Sequence, residues 1–271
     1  MHRWLATFIV LVVAATTSAQ TLYLPAAANV EGVNQTRWRT DVQVKAQSGD
    51  DATFTIELLE TGANNSQPTA LDFTVGVGES LRLENLLETA FEFEGTAALR
   101  LTATDGRIGA TSRTYNDAPA GTYGQTVPAV DDDDAIAFGD EATLILLSRS
   151  PDPAVGFRTN LGLVNVTEGP ITVEVDLVAA DGAPLGTVTP SLRPFEHRQL
   201  NDVFHLAGAD DVPDGYAVVR TTSDDGRFFA YASVVDNGTG DAIFLLGTPD
   251  EAGAVPAAPR LVVFESFLRP G

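Results

Sequence analysis

The sequence predicts an all-β protein, built as two tandem antiparallel β-sandwich (Ig-like) domains behind an N-terminal signal peptide. Three observations carry this. Apolar residues alternate with a period of two, turn-forming dipeptides punctuate the apolar stretches at intervals of about a dozen residues, and the whole arrangement occurs twice in the chain.

The leader is the first element. "MHRWLATFIVLVVAATTSA" has a basic start at Arg3, an apolar run from Leu5 to Ala15 and a small-residue end at Thr17-Ser18-Ala19. That is the three-part pattern of a secretory signal cleaved after Ala19. The apolar run falls well short of the ~20 residues that a membrane-spanning helix needs. Residues 1–19 are therefore assigned to the signal peptide. The rest is expected to be secreted or periplasmic, with cell-surface association as an option and no membrane insertion after cleavage.

The repeat sets the domain boundaries. "WRTDVQV" from Trp38 answers "FRTNLGL" from Phe157, "LENLL" from Leu83 answers "LNDVF" from Leu200, and "DGRIGATS" from Asp105 answers "DGRFFAYAS" from Asp225. The offsets are 119, 117 and 120 residues, in the same order. Two copies of one domain follow, at residues 20–130 and 141–249. Between them, the aspartate run of residues 131–140 reads as a solvated acidic linker. Residues 250–271 read as a Pro/Ala linker followed by one terminal strand, "RLVVFESF".

Inside each copy, "TFTIELL" and "ITVEVDL" place every second side chain on one apolar face, and "ALRLTA", "YAVVRTT", "RFFAYASVV" and "ATLILLS" read likewise. Asp105-Gly106, Asp181-Gly182, Asp225-Gly226 and Asn237-Gly238 supply turns. Helical candidates are single turns, at 85–91 and 201–206, opening on the capping residue types Asn and Asp. In the tetrads, alternation puts Trp38, Thr40 and Val42 on one face and Arg39, Asp41 and Gln43 on the other, mirrored by Phe157, Thr159, Leu161 and by Arg158, Asn160, Gly162. One face persists between copies while the other weakens, which marks a fold signature rather than a catalytic pair.

Composition narrows the chemistry. Apolar residues make up 44% of 271, enough for a core in each half. With no cysteine, disulfides, thiol catalysis and cysteine-built zinc sites are excluded. Asp and Glu number 37 against 16 Lys and Arg, a formal charge of −21, which becomes −22 once Arg3 leaves with the signal. Such a surface repels phosphate backbones, so no nucleic-acid partner is expected. Lys45 is the only lysine.

No catalytic constellation stands out, and the chain is not expected to be an enzyme. His197 and His205 have no counterpart in the first copy and no G-x-S-x-G elbow accompanies them, so both read as surface or partly buried histidines. No cofactor is expected. Calcium is the one candidate, with Asp131, Asp132, Asp133, Asp134, Asp210, Asp211 and Asp214 as oxygen donors, although none follows the EF-hand spacing. Candidate ligand residues are the tetrad arginines Arg39 and Arg158, together with Phe229 and Tyr231. That aromatic pair shares a strand face and would form a sugar-stacking platform if exposed and core filling if not.

The motif series "YLPAAANV…WRTDVQV…LENLL…ALRLTA…SRTYN" and "FRTNLGLVN…RQLNDVF…DGRFFAYASVVDN" resembles the tandem β-sandwich repeats of uncharacterised secreted bacterial proteins. In those proteins similar modules occur alone or appended to exported hydrolases, so the resemblance implies fold and export. "LVNVTEGPITVEVDLVAADGAPLG…RQLNDVF" is also similar to the β-sandwich family of sensory rhodopsin transducers, which implies oligomeric sandwiches binding protein partners or small ligands. The expectation is a non-catalytic interaction or structural module with a protein or glycan partner at the cell surface. A carbohydrate-binding module and an exported hydrolase are the alternatives.

Overall fold

The structure is a computed structural model describing residues 19–32, 36–47, 49–118 and 121–250. The signal assignment before Ala19 and the terminal strand expected after Asp250 lie outside these residues. The N-terminal half contains β1 (Gln20–Glu31), β2 (Arg37–Ala46), β3 (Ala52–Glu60), β4 (Thr69–Val75), β5 (Ser80–Leu83), the helical turn α1 (Leu86–Thr89), β6 (Gly95–Asp105), β7 (Ile108–Ala118) and β8 (Gly121–Pro128). Two short strands follow, β9 (Val130–Asp131) and β10 (Ile136–Ala137). The C-terminal half contains β11 (Ala142–Arg149), β12 (Phe157–Asn165), β13 (Ile171–Ala179), β14 (Pro184–Val188), β15 (Ser191–Leu192), β16 (His197–Leu200), the turn α2 (Val203–Leu206), β17 (Val212–Thr221), β18 (Arg227–Asp236) and β19 (Ala242–Leu246). All strand ladders are antiparallel, as the alternation predicts.

The repeat is visible strand for strand. The first half orders its strands β4-β3-β6-β1 and β5-β2-β7-β8, and the second orders them β14-β13-β17-β11 and β16-β12-β18-β19. β1 passes between the two layers of its half, pairing with β6 up to Asn29 and with β2 at Val30 and Glu31. Its ladder shifts between Leu24 and Ala27, where Pro25 has no N–H to give. Each half closes over its own apolar cluster. Val42, Val44 and Ile108 face Leu24, Phe54, Leu99 and Leu101 in the first, and Leu161, Leu163 and Phe228 face Val173, Val175 and Val219 in the second.

The tetrads perform two clasps. Thr40 Oγ1 accepts the Ala28 amide at 2.8 Å and donates to the Ala28 carbonyl at 3.1 Å; Thr159 Oγ1 does the same to Ser148, at 3.1 and 2.8 Å. Each fully buried threonine thereby fastens the first strand of its half where the regular ladder ends. The fourth tetrad residue fastens the helical turn: Asp41 Oδ1 accepts the Asn85 amide at 2.9 Å, and Asn160 Oδ1 accepts the Asp202 amide at 3.0 Å. An amide oxygen serves this bond as well as a carboxylate does, which explains why Asp in one copy answers Asn in the other. Asn85 and Asp202 are not side-chain caps, contrary to expectation. Their φ values of 45° and 50° put them in the left-handed region, which Asn and Asp tolerate better than other non-glycine residues, and their backbone amides make the contact instead.

The stretch 131–140 also differs from the expected solvated linker. Val130 and Asp131 pair with β1, Asp132–Asp134 form a 3₁₀ turn, and Ile136 and Ala137 pair with β18. Arg227 holds the Asp132 carboxylate at 3.1 Å, while Ala135 and Ile136 are buried. The run is ordered because an opposite charge and two apolar anchors oppose its self-repulsion.

Strand β18 binds the halves together. Phe228, Ala230, Ala232 and Val234 face the second half's core, while Phe229 joins Tyr23, Leu59, Ala98 and Val164 in a separate cluster and Tyr231 joins Ala26 and Val127. The outer face of β1, β3 and β6 is therefore docked against the outer face of β12, β16 and β18. Tyr231 lies across Gly162, its cross-strand neighbour, where an added Cβ would come within 2.0 Å of the ring. The weakened outer face of the second tetrad is thus the seat of an aromatic ring. Gly162→Ala is expected to cost about 1–3 kcal/mol in chemical denaturation, and far less in a Tyr231→Thr background, because the clash is with that ring; equal costs in both backgrounds would contradict this seating.

Candidate functional site

Along the seam between the halves the docking leaves a crevice of about 590 Å³. The first half contributes Ala26–Ala28, Glu31, Trp38, Thr61, Thr96 and Gln125; the second contributes Arg158, Asn160, Gln199, Asn201, Asp202, Tyr231 and Ser233. The two tetrads meet here, Trp38 from one and Arg158 with Asn160 from the other. Arg158 donates to Asn237 Oδ1 at 2.8 Å. Burial lowers the pKa of its guanidinium, partly offset by the attraction of Asp202 and Asp236. Asp202 itself is held by Arg149 at 2.9 Å. Asn160 donates nothing to the clasp with Asp202, so its amide N–H₂ is not consumed by that bond.

Below the crevice a polar chain runs from the buried Tyr231 and His197 out to the exposed Thr61. His197 is fully buried, not a surface or partly buried histidine as expected, because Tyr231 and the docked first half, through Thr61, cover it. Its Nε2 lies 2.9 Å from the Tyr231 hydroxyl and its Nδ1 lies 2.5 Å from Thr61 Oγ1. Thr61 Oγ1 is 2.6 Å from the Thr96 carbonyl, which only accepts, so Thr61 donates there. Nδ1 then carries the ring proton and Nε2 accepts from Tyr231. Beside it the Gly62 amide donates to the His197 carbonyl at 2.9 Å and the Asn65 side-chain amide donates to the Phe195 carbonyl at 2.9 Å. Both imidazole nitrogens are occupied by the seam.

The structure separates the remaining sequence candidates. Phe229 and Tyr231 are each 1% exposed, so they are not an open stacking platform. Phe229 packs on Tyr23 at a centroid distance of 5.3 Å and Tyr231 on Phe244 at 5.2 Å, since the first half covers the face they share. Arg39 lies away from the crevice on the outer face of the first half, with Glu88 at 3.4 Å and Asp117 at 3.8 Å. The calcium candidates do not converge. Asp131 Oδ1 accepts the Asp133 amide, Asp132 pairs with Arg227, and Asp133 and Asp134 face solvent. Asp210 lies 3.6 Å from Arg149 and 3.1 Å from His205, while Asp211 and Asp214 are exposed. Among the described residues no group of three or more His, Cys, Asp or Glu is placed to hold a metal ion. Sequence reasoning missed Gln199, Asn201 and Trp38 as members of one site, since nothing in a single strand's periodicity says which distant strand will face it.

Burial pushes the His197 imidazole down to about 3 from its ordinary 6.5. The unfolded chain takes up that proton below pH 6.5 while the folded protein does not. The stability of the neutral buried ring is therefore complete above pH 6.5 and is lost as pH falls toward 3, by up to about 1.4 kcal/mol per pH unit. Urea unfolding should show a loss of roughly 2 kcal/mol between about pH 7 and pH 5, above the main carboxylate range. His197→Gln should abolish most of that slope, and an unchanged slope would show that the ring does not set it.

Among the described residues no helix is long and apolar enough to cross a membrane. No protein-family model matches the chain, and no curated protein is similar to it.

Proposed function

We propose that the chain is an exported, non-catalytic interaction module: two β-sandwich domains docked as one block, with the seam crevice as the seat for a hydroxyl-rich ligand such as a sugar of a cell-surface glycan. The observation that carries this is the lining of the crevice. Amides from Asn160, Gln199 and Asn201, hydroxyls from Thr61, Thr96 and Ser233, the Trp38 indole and a single guanidinium converge on one concavity. Small-molecule seats combine apolar or aromatic surface with a few placed polar groups. A carbohydrate ligand is thus supported by the seam rather than by Phe229 and Tyr231. The non-catalytic reading is supported by His197, whose two nitrogens are committed to Thr61 and Tyr231.

Probing the purified protein on an array of neutral and uronate-containing saccharides, followed by calorimetry on the best binder, tests the reading. Trp38→Ala and Gln199→Ala are each expected to weaken binding on the order of tenfold, a loss of about 1.4 kcal/mol, with the melting temperature retained. Binding that ignores both changes would move the site elsewhere. Absence of any saccharide binding would leave a purely structural module.

A further inference from the structure

The docking of the halves is heterologous: one face of the first half meets a different face of the second. Each half therefore keeps the counterpart of the face its partner used. The first half exposes the outer face of β2, β5, β7 and β8; the second exposes that of β11, β13, β14 and β17. Head-to-tail contacts of this kind close only if a rotation closes them, and otherwise continue as open chains.

Equivalent positions follow from the ladders. Arg100 with Glu57 in the first half corresponds to Arg220 with Glu174 in the second, each a cross-strand ion pair. Tyr23, opposite Arg100, then corresponds to Glu141, which reaches Arg220 at 3.3 Å. Leu59, opposite Ala98, corresponds to Asp176, opposite Val218. On the other side of the seam, the 119-residue offset equates Val164 with Lys45 and the 120-residue offset equates Phe229 with Gly109. The apolar meeting of Tyr23 and Leu59 with Val164 and Phe229 is thus replaced, on the two free faces, by carboxylates on one and the chain's only lysine on the other.

Shape agrees with charge. Where Phe229 fills the seam, Gly109 leaves a depression of about 490 Å³ on the first half, flanked by Gln43, Lys45, Gln47, Gly78 and Thr111. The facing cluster on the second half gathers Glu141, Glu174 and Asp176 around Arg220, an excess of negative charge. Lys45 is exposed and pairs with no carboxylate among the described residues, so it is available to that cluster.

We infer that the free outer face of the second half docks on the free outer face of the first half of another copy, so that the protein associates head to tail, by charge where its own halves associate by apolar contact. Sedimentation of the purified protein decides this. At about 0.1 M salt the ~10 Å screening length suppresses the long-range repulsion of a strongly acidic chain but spares contact pairs, whereas at about 1 M the ~3 Å length weakens both. The expected result is a weight-average mass that rises with concentration at the lower salt and returns to monomer at the higher. Lys45→Glu and Glu141→Lys should each lower the association constant on the order of tenfold, and their equimolar mixture should restore it, since each variant then presents its altered face to a complementary one. Both sites are solvent-exposed, and unchanged melting temperatures would confirm intact folds. A monomer at every concentration and salt, association indifferent to both variants, or association lost in each variant but not regained on mixing would overturn the inference, the last by showing that positions 45 and 141 do not meet.

Discussion

The structure depends on one strand being buried on both faces. A sheet in a two-layer sandwich ordinarily turns one face to the core and one to water. β18 has water on neither: from Phe228 to Val235 every residue is buried, alternate side chains serving the second half's core and the seam. Gly162 must be small because Tyr231 occupies its outer side, and His197 must be neutral because Tyr231 and Thr61 enclose it. Asp132 is drawn to Arg227 at the start of the same strand, which orders the connecting run. The crevice is what remains at the rim, where the two sheets diverge from that strand.

Much of this was legible in the residues, but unevenly. Period-two alternation and the three repeated motifs were sufficient for the strands, their antiparallel pairing and the correspondence of the halves, because those patterns reflect local geometry and a duplicated ladder. The tetrad was recognisable as a pattern without its bonds being readable: Thr40 and Thr159 clasp strands that precede them by about a dozen residues, and Asp41 and Asn160 reach helical turns some forty residues later. What periodicity cannot convey is what covers a face. Phe229 and Tyr231 were correctly placed together, yet whether water or protein lay over them depended on a sheet more than a hundred residues away. A clue was present in "RFFAYASVV", a nearly continuous apolar run of the kind that marks strands covered on both sides.

Comparison of the copies carries information that neither copy holds alone. Where they agree, at the clasping Thr, at the Arg and Glu of the cross-strand pair and at the inward aliphatic residues, the agreement maintains the sandwich. Where they disagree, at Thr111 against Tyr231, Gly109 against Phe229, Glu141 against Tyr23 and Asp176 against Leu59, the differences sort the outer faces into one pair that is dry and one pair that is charged. The acidic excess is distributed accordingly. Carboxylates are absent from the seam's apolar clusters; Arg39, Arg82, Arg100, Arg149, Arg198, Arg220 and Arg227 sit beside carboxylates, whereas Arg158 donates to an amide at the crevice.

Two-sided burial of β18 also bears on the order in which the halves are made. A second half standing alone would hold out Phe229, Tyr231 and Val164 to water, an apolar patch on an otherwise polar sheet, with the aggregation tendency such patches bring. The first half would expose fewer large side chains, chiefly Tyr23 and Leu59. Synthesis runs from the N-terminus and domains fold as units as they emerge. The half that tolerates solitude is therefore produced first, and the one that needs a covering surface arrives when that surface is already in place.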